Sequence, residues 1–438
     1  MERLWLAVLA TALATPLVWR APPEIAIRRA AALGLLLTFT LVELPPGLLE
    51  LPPDALRLPG LLTPLHHAPW AVSALTSPAG VLLLWGLLLG AGALAAFGTG
   101  RRAQVALVVA AVVGIVLGGL SRGFFGTSYH QGLLAILLAL LIGLAPRSAR
   151  DDVGLLRVLL TIAYVAAGVA KLRVPGFSFT DPETQLGLVA ECLVQHCNHL
   201  EAPLGRPLLL LASTHAGVLS LVGVIAGLVL SWELLFPLVI VGPRTRVALA
   251  VAALAFHIGV ILFFGIVFVD FLLADVVLLR TANSPRTVAP RFSRYAVVVT
   301  LCFVALVMGR VKAWPLSAFE LFAAAPKSPV LWDEIVVEHD GTSTTVWLPD
   351  VFAAHAVASP RRWLEGCAAD ADDPESGDAR RRCDAWLAAI VARHHADAIR
   401  VDRHLATWRE IGAGSTGVIA GQLRLETLRA PKSVPVSP

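Results

Sequence analysis

Up to about residue 313 the chain is a series of apolar runs separated by short polar stretches. A helix that crosses a membrane needs about 20 mostly apolar residues. Runs of that character lie near 30–44, 78–98, 103–120, 131–146, 154–172, 209–241, 246–264, 267–280 and 295–312, which predicts nine spans. Between the second and third, GTGRR offers Gly98 and Gly100 for a tight turn between two antiparallel helices. PPGLLELPPDALRLPGLLTP is too rich in proline for a regular helix and reads as an outer loop lying along the membrane surface. Residues 1–20 begin with charge and continue as an apolar run, the outline of a signal peptide. No small-residue cleavage site follows, which favours an extra interfacial helix, with a tenth span as the alternative.

Beyond about residue 315 the pattern changes. DEIVVEHDGTSTTVWLPD alternates apolar and polar positions about Asp340 and Gly341, a hairpin signal. The residues after it predict a helix, a polar loop, a second helix and a strand. The expected fold is an all-α polytopic membrane helical bundle carrying a small α+β extracytoplasmic C-terminal domain. Its divisions are an apolar segment at 1–24, a transmembrane domain at 25–313 and a soluble domain at 314–438. A domain of that size has little room for an active site of its own.

Composition agrees with a membrane protein: 57% hydrophobic residues, 15% charged and a mean hydropathy of +0.74. Soluble domains average about 25% charged. The net charge of +4 includes no basic stripe, so nucleic acid is not an expected partner. Arginines mark the loops instead: Arg28 and Arg29, Arg101 and Arg102, Arg147, Arg150 and Arg157, Arg244 and Arg246, and Arg280, Arg286, Arg291 and Arg294. They fall in every second loop, which predicts an inside start and an outside carboxyl end. Five cysteines without regular spacing exclude a disulfide-built mini-fold. Cys367 and Cys383 flank a polar loop of the tail, and they read either as a disulfide or as two unpaired thiols.

Among candidate chemical groups Lys171 stands first. The chain has four lysines, at 171, 312, 327 and 432, so Lys171 is alone in the first 311 residues. Arginine stays protonated, whereas a desolvated lysine can give up its proton and act as a base. Tyr164, Gly168 and Lys171 share a helix face, and Gly168 with Ala167 lets a helix or a flat ligand approach closely. The competing reading is a lysine that snorkels to the interface. His130 is expected at the depth of Lys171, as a pocket residue or an interfacial cap. His257 lies inside a span, where ionisable groups are costly and face the bundle interior. Glu233 shares that property and is expected to pair with Arg244 or Arg246. His215 is expected near the outer end of its span, in reach of the pocket. Cys192, His196, Cys197 and His199 form no standard zinc spacing and read as part of a loop helix, so no metal is expected. No Walker loop, dinucleotide fingerprint or GxSxG is present.

The order of these features resembles a known family. LLRVLL, then YVAAGVAKL, WELLFP, PRTR and AFH with GIVF downstream are similar to the horizontally transferred transmembrane (HTTM) domain, whose members include the vitamin K-dependent gamma-carboxylases. The similarity covers about residues 25–313. It implies a catalytic base at Lys171, an active-site histidine at His130 and a histidine near the quinone pocket at His257. Tyr164, Gly168 and His215 are the further residues expected about the cofactor.

The implied cofactor is a reduced vitamin K or menaquinol-type naphthoquinone, with O2 and CO2 as co-substrates. The lysine deprotonates the quinol, oxygen adds, and rearrangement toward the epoxide yields a strong base. That base removes a γ-hydrogen from a protein or peptide glutamate, and the carbanion attacks CO2. The quinone therefore carries the hard step. Three local departures are visible: Ser128 and Tyr129 before His130 in place of Asn, LRVPGF after the lysine, and IGVILFF after the FH. The large β-rich domain that grips carboxylase substrates has no counterpart of comparable length. The implied setting is the bacterial inner membrane with the site at its outer face. The alternative of another class is a non-catalytic scaffold whose tail binds a partner; a transporter is disfavoured by the absence of visible inverted repeats.

Overall fold

The computed structural model describes residues 2–42, 60–125, 132–144, 152–173, 176–195, 202–282, 301, 312–313, 316–317, 329–346 and 397–426. The protein is mostly helical. The helices are α1 (Glu2–Trp19), α2 (Pro23–Leu37), α3 (Pro69–Thr76), α4 (Pro78–Phe97), α5 (Gly100–Phe125) and α6 (Leu133–Leu144). They continue with α7 (Asp152–Arg173), α8 (Pro182–Gln195), α9 (Gly205–Thr214), α10 (Ala216–Leu235), α11 (Pro243–Phe264) and α12 (Val269–Ala282). A last short helix, α13 (Trp408–Gly412), belongs to the tail.

Among the described residues, six helical stretches are long and apolar enough to cross a membrane: Pro23–Val42, Pro78–Phe97, Gly100–Leu120, Asp152–Arg173, Ala216–Val239 and Pro243–Phe264. Trp5–Trp19 and Leu133–Leu144 are shorter apolar helices, and the 14-residue α12 carries two aspartates, Asp270 and Asp275. The run expected at 295–312 lies almost wholly outside the described residues, as do much of the proline-rich segment and the tail between 347 and 396, with Cys367 and Cys383. Aliphatic side chains such as Leu82, Leu83, Leu87, Val224, Ile225 and Leu228 are exposed on α4 and α10. Such a surface suits lipid rather than water.

Local sequence explains several element ends. Ser77 caps α4 by accepting a hydrogen bond from the Gly80 N–H at 3.0 Å, with Pro78 in the first turn. Gly98 closes α4, and Gly100 at φ +65° opens α5, so the GTGRR turn forms as its glycines predict. α2 lies at the heart of the bundle, burying Ala26, Ile27, Ala30, Ala31 and Leu35 among α1, α4, α6 and α12. α1 belongs to the same core through Ala7, Ala14 and Val18, and is tied down where Arg29 donates to the Leu17 carbonyl at 3.0 Å.

One expected span is two helices. The run 209–241 breaks at His215, whose extended backbone (φ −129°, ψ 105°) separates α9 from α10. A 3₁₀ turn at Phe236–Ile240, started by Pro237, then ends α10 early. Hydropathy cannot see a break that no charge or proline marks.

The tail forms a sheet, after a two-residue ladder of β1 (Lys312–Ala313) and β2 (Leu316–Ser317). β3 (Val330–His339), β4 (Thr342–Val346), β5 (Ala398–Ala406) and β6 (Val418–Glu426) pair antiparallel in the order β4-β3-β5-β6. The hairpin stands where Asp340-Gly341 places it: His339 pairs with Thr342, and both loop residues have positive φ, 48° and 75°. That is the primed turn an Asp-Gly pair favours. The sheet does not float free. Trp332, Ala406, Trp408 and Ile411 join Leu186, Val189, Ala190 and Leu209 of α8 and α9 in one apolar cluster. Glu183 accepts hydrogen bonds there from the Trp408 indole N–H and from Arg409, the latter at 2.8 Å.

Candidate functional site

Ionisable groups inside an apolar bundle are expensive, so their positions locate the site. Lys171 lies near the end of α7, 1% exposed, with its Nζ 2.5 Å from Oε1 of Glu233, also 1% exposed. It therefore does not snorkel. The Phe179 ring lies 5.4 Å from the same ammonium nitrogen, a second favourable contact for a cation.

The pairing corrects the expectation that Glu233 meets Arg244 or Arg246. Arg246 is buried elsewhere, donating to the Val239 and Ala282 carbonyls at 3.1 Å each. Because α10 starts only at Ala216 and runs antiparallel to α7, Glu233 falls beside Gly168 and Lys171 rather than at the arginine level. Gly168 makes that approach possible: a Cβ there would come within 3.1 Å of Glu233 Cβ and of Leu234 Cδ2. Of the two occupants its small face allowed, a helix fills it.

Two turns toward the start of α7 lies a second polar cluster. The Tyr164 hydroxyl donates to the Asp275 carboxylate at 3.0 and 2.9 Å and stands 2.9 Å from His257 Nε2. Three helices thus meet at one oxygen atom. Rings enclose it: Phe236 and Trp232 at 4.5 and 4.7 Å from the Tyr164 ring, Phe256, Phe271 and Phe268 at 5.1, 5.4 and 5.7 Å from His257. Burying three polar groups in such a lining is tolerable only because they satisfy one another.

They do not satisfy one another completely. Among the described residues, Glu233 Oε2, His257 Nδ1 and Asp270 Oδ1 are buried without a hydrogen-bond partner. Asp270 faces a different neighbour, with its Oδ2 accepting from the Ala135 N–H at 3.4 Å. The unpartnered atoms of Glu233 and His257 belong to the two clusters that share α7.

The structure therefore brings Lys171, Tyr164, Gly168 and His257 together with Glu233. His215 does not join them. It is exposed at the start of α10, bonded to Thr214 Oγ1 at 2.7 Å and roughly 27 Å of helix rise from Glu233. His130, His196, Cys197 and His199 lie outside the described residues. Cys192 is disulfide-bonded, so its sulfur is not a thiolate for zinc. Asp275 and Asp270 were absent from the sequence-derived candidates, although two aspartates inside VDFLLADVVLL carry the same signal that selected His257.

Comparison of the chain with protein-family profiles, with curated proteins and with solved structures finds no match.

Proposed function

We propose that this chain is an integral membrane enzyme of the gamma-carboxylase-like HTTM class, performing quinol- and oxygen-dependent epoxidation coupled to carboxylation of glutamate or a related substrate, with Lys171 as base. The observation that carries this is the buried pair of Lys171 with Glu233. A proton passing from Nζ to Oε1 turns an ion pair into an amine and a carboxylic acid without changing the charge of the bundle. The site can thus present a free amine where an isolated ammonium or carboxylate would be too costly to bury.

The chemistry of the side chains suits a reduced naphthoquinone: His257 Nδ1 and Glu233 Oε2 are buried polar atoms without a partner among the described residues and would meet its hydroxyls, in a lining made aromatic by Phe256, Phe268 and Phe271. Bound there, the group supplies the oxygen-driven base strength that no amine has. The protein's part is to hold a proton acceptor at Lys171 Nζ, to fix His257 through Tyr164 and Asp275, and to exclude water. His130 enters on the resemblance alone.

The proposed setting is a cell inner membrane with nine spans and the Lys171 end outward. Cys192 supports the orientation, because a disulfide persists in an oxidising compartment and this one lies on α8, which follows the Lys171 end of α7. The tail docks on the same α8 and α9, which supports an extracytoplasmic tail. Arg157, about 21 Å of helix rise from Lys171, marks the opposite side.

The test is turnover of purified protein in lipid nanodiscs with menaquinol and a glutamate-containing peptide, with and without oxygen, supplied with ¹³C-bicarbonate. Mass spectrometry is expected to find quinone epoxide only under oxygen, with label in the peptide. Absence of both products would overturn the proposal and favour a non-catalytic scaffold.

A further inference from the structure

The hydroxyl of Tyr164 is not needed for packing. A phenylalanine would make the same ring contacts with Trp232, Phe236 and Phe271, without the cost of desolvating a polar group. What the hydroxyl adds is a link between Asp275 and His257, which are themselves 3.5 Å apart. All three residues are 3% exposed or less.

The Tyr164–His257 contact can run in either direction with the imidazole tautomer, and the direction is set by the protonation state taken for Asp275. With Asp275 as a carboxylate, the single Tyr164 proton points to it, so the Tyr164 oxygen must accept from His257. His257 then carries its proton on Nε2, and Nδ1 is left with a lone pair. That Nδ1 is the buried atom without a partner among the described residues.

We infer that Asp275, Tyr164 and His257 form a buried proton relay, which accepts one proton at His257 Nδ1 from the hydroxyl of a flat aromatic ligand and stores it on Asp275. This deepens the function proposed above and rests on it for the ligand class, a reduced naphthoquinone. The step balances as three concerted transfers. A ligand O–H bond breaks and Nδ1–H forms; Nε2–H breaks and the Tyr164 oxygen gains that proton; the original Tyr164 O–H breaks and an Asp275 O–H forms. No electrons leave or enter. The relay changes from one negative charge to none as the ligand hydroxyl becomes an oxyanion, and His257 is neutral before and after. A buried imidazolium, which would have to be stabilised against desolvation, never forms. His257 is the group that touches the ligand, and Tyr164 and Asp275 act through it. A hydroquinone has two hydroxyls, so the relay and Lys171 have separate partners.

The test is infrared difference spectroscopy on the full chain in nanodiscs, with menadiol added anaerobically as the probe and menadione as the oxidised control. The relay predicts a new protonated-carboxyl band with menadiol that shifts in D2O and does not appear with menadione. Asp275→Asn and Tyr164→Phe should each lose the band, the latter while keeping its ring contacts with Trp232, Phe236 and Phe271. No band in the wild type, the same band with menadione, or a band that survives Tyr164→Phe would each overturn the relay. Failure of the proposed function is separable: a menadiol band without oxygen-dependent epoxide leaves the relay standing, and epoxide without the band leaves only the enzyme.

Discussion

Removing one partner of the Lys171–Glu233 pair strands a charge in an apolar interior, and breaking such a pair costs about 3–5 kcal/mol. Glu233→Gln is therefore expected to lower thermal stability in detergent sharply. The double variant Lys171→Met, Glu233→Leu should recover most of it, because well-packed apolar side chains replace a buried ion pair at little cost. Equal melting of the wild type and Glu233→Gln would show that the pair is not buried as described. Lys171 and His257 were legible in the sequence because a lone lysine and a mid-span histidine are rare among apolar residues. Glu233 was legible as an oddity but not in its partner, since the arginines nearest in sequence lie at another depth. Asp275 was missed although the same physical rule selects it.

Glycines set two of the contacts between elements. At Gly168 a larger side chain must push α10 away, and overpacking of this kind costs about 1–3 kcal/mol. Gly168→Leu should therefore destabilise the bundle and separate Lys171 from Glu233, read as lost menadiol binding; unchanged binding would contradict the close approach. At Gly412, a Cβ would stand 2.8 Å from Leu209 Cβ and 3.2 Å from the Leu209 backbone carbon, so α13 fits α9 only without a side chain. Trp408, 1% exposed, fills the same contact. Trp408→Ala is expected to cost about 3–5 kcal/mol and to expose the tail to limited proteolysis; a cleavage pattern identical to wild type would contradict the docking. The α4–α5 turn and the β3–β4 hairpin were legible because their glycines fix local geometry. The break at His215 was not, because a polar Thr-His pair in an apolar run carries no strong stop signal, and neither was β6, whose pairing with β5 is a long-range choice.

Taken together, the arginine-marked loops, a disulfide-bonded Cys192 beyond the Lys171 end of α7 and a tail docked on α8 and α9 support the orientation proposed for the bundle. Alkaline phosphatase fused after the tail in bacterial cells should be active, since that enzyme requires export; an inactive fusion paired with a fluorescent cytoplasmic reporter at the same point would reverse the orientation. The central claim is that Lys171 is the base. Its most direct measurement is the rate of oxygen-dependent epoxide formation from menaquinol by Lys171→Gln against wild type, each rate expressed per folded protein at a temperature below both melting transitions. Glutamine still donates a hydrogen bond to Glu233 but cannot accept a proton as an amine does. The predicted result is a loss of about a hundredfold or more, and equal rates would contradict the claim.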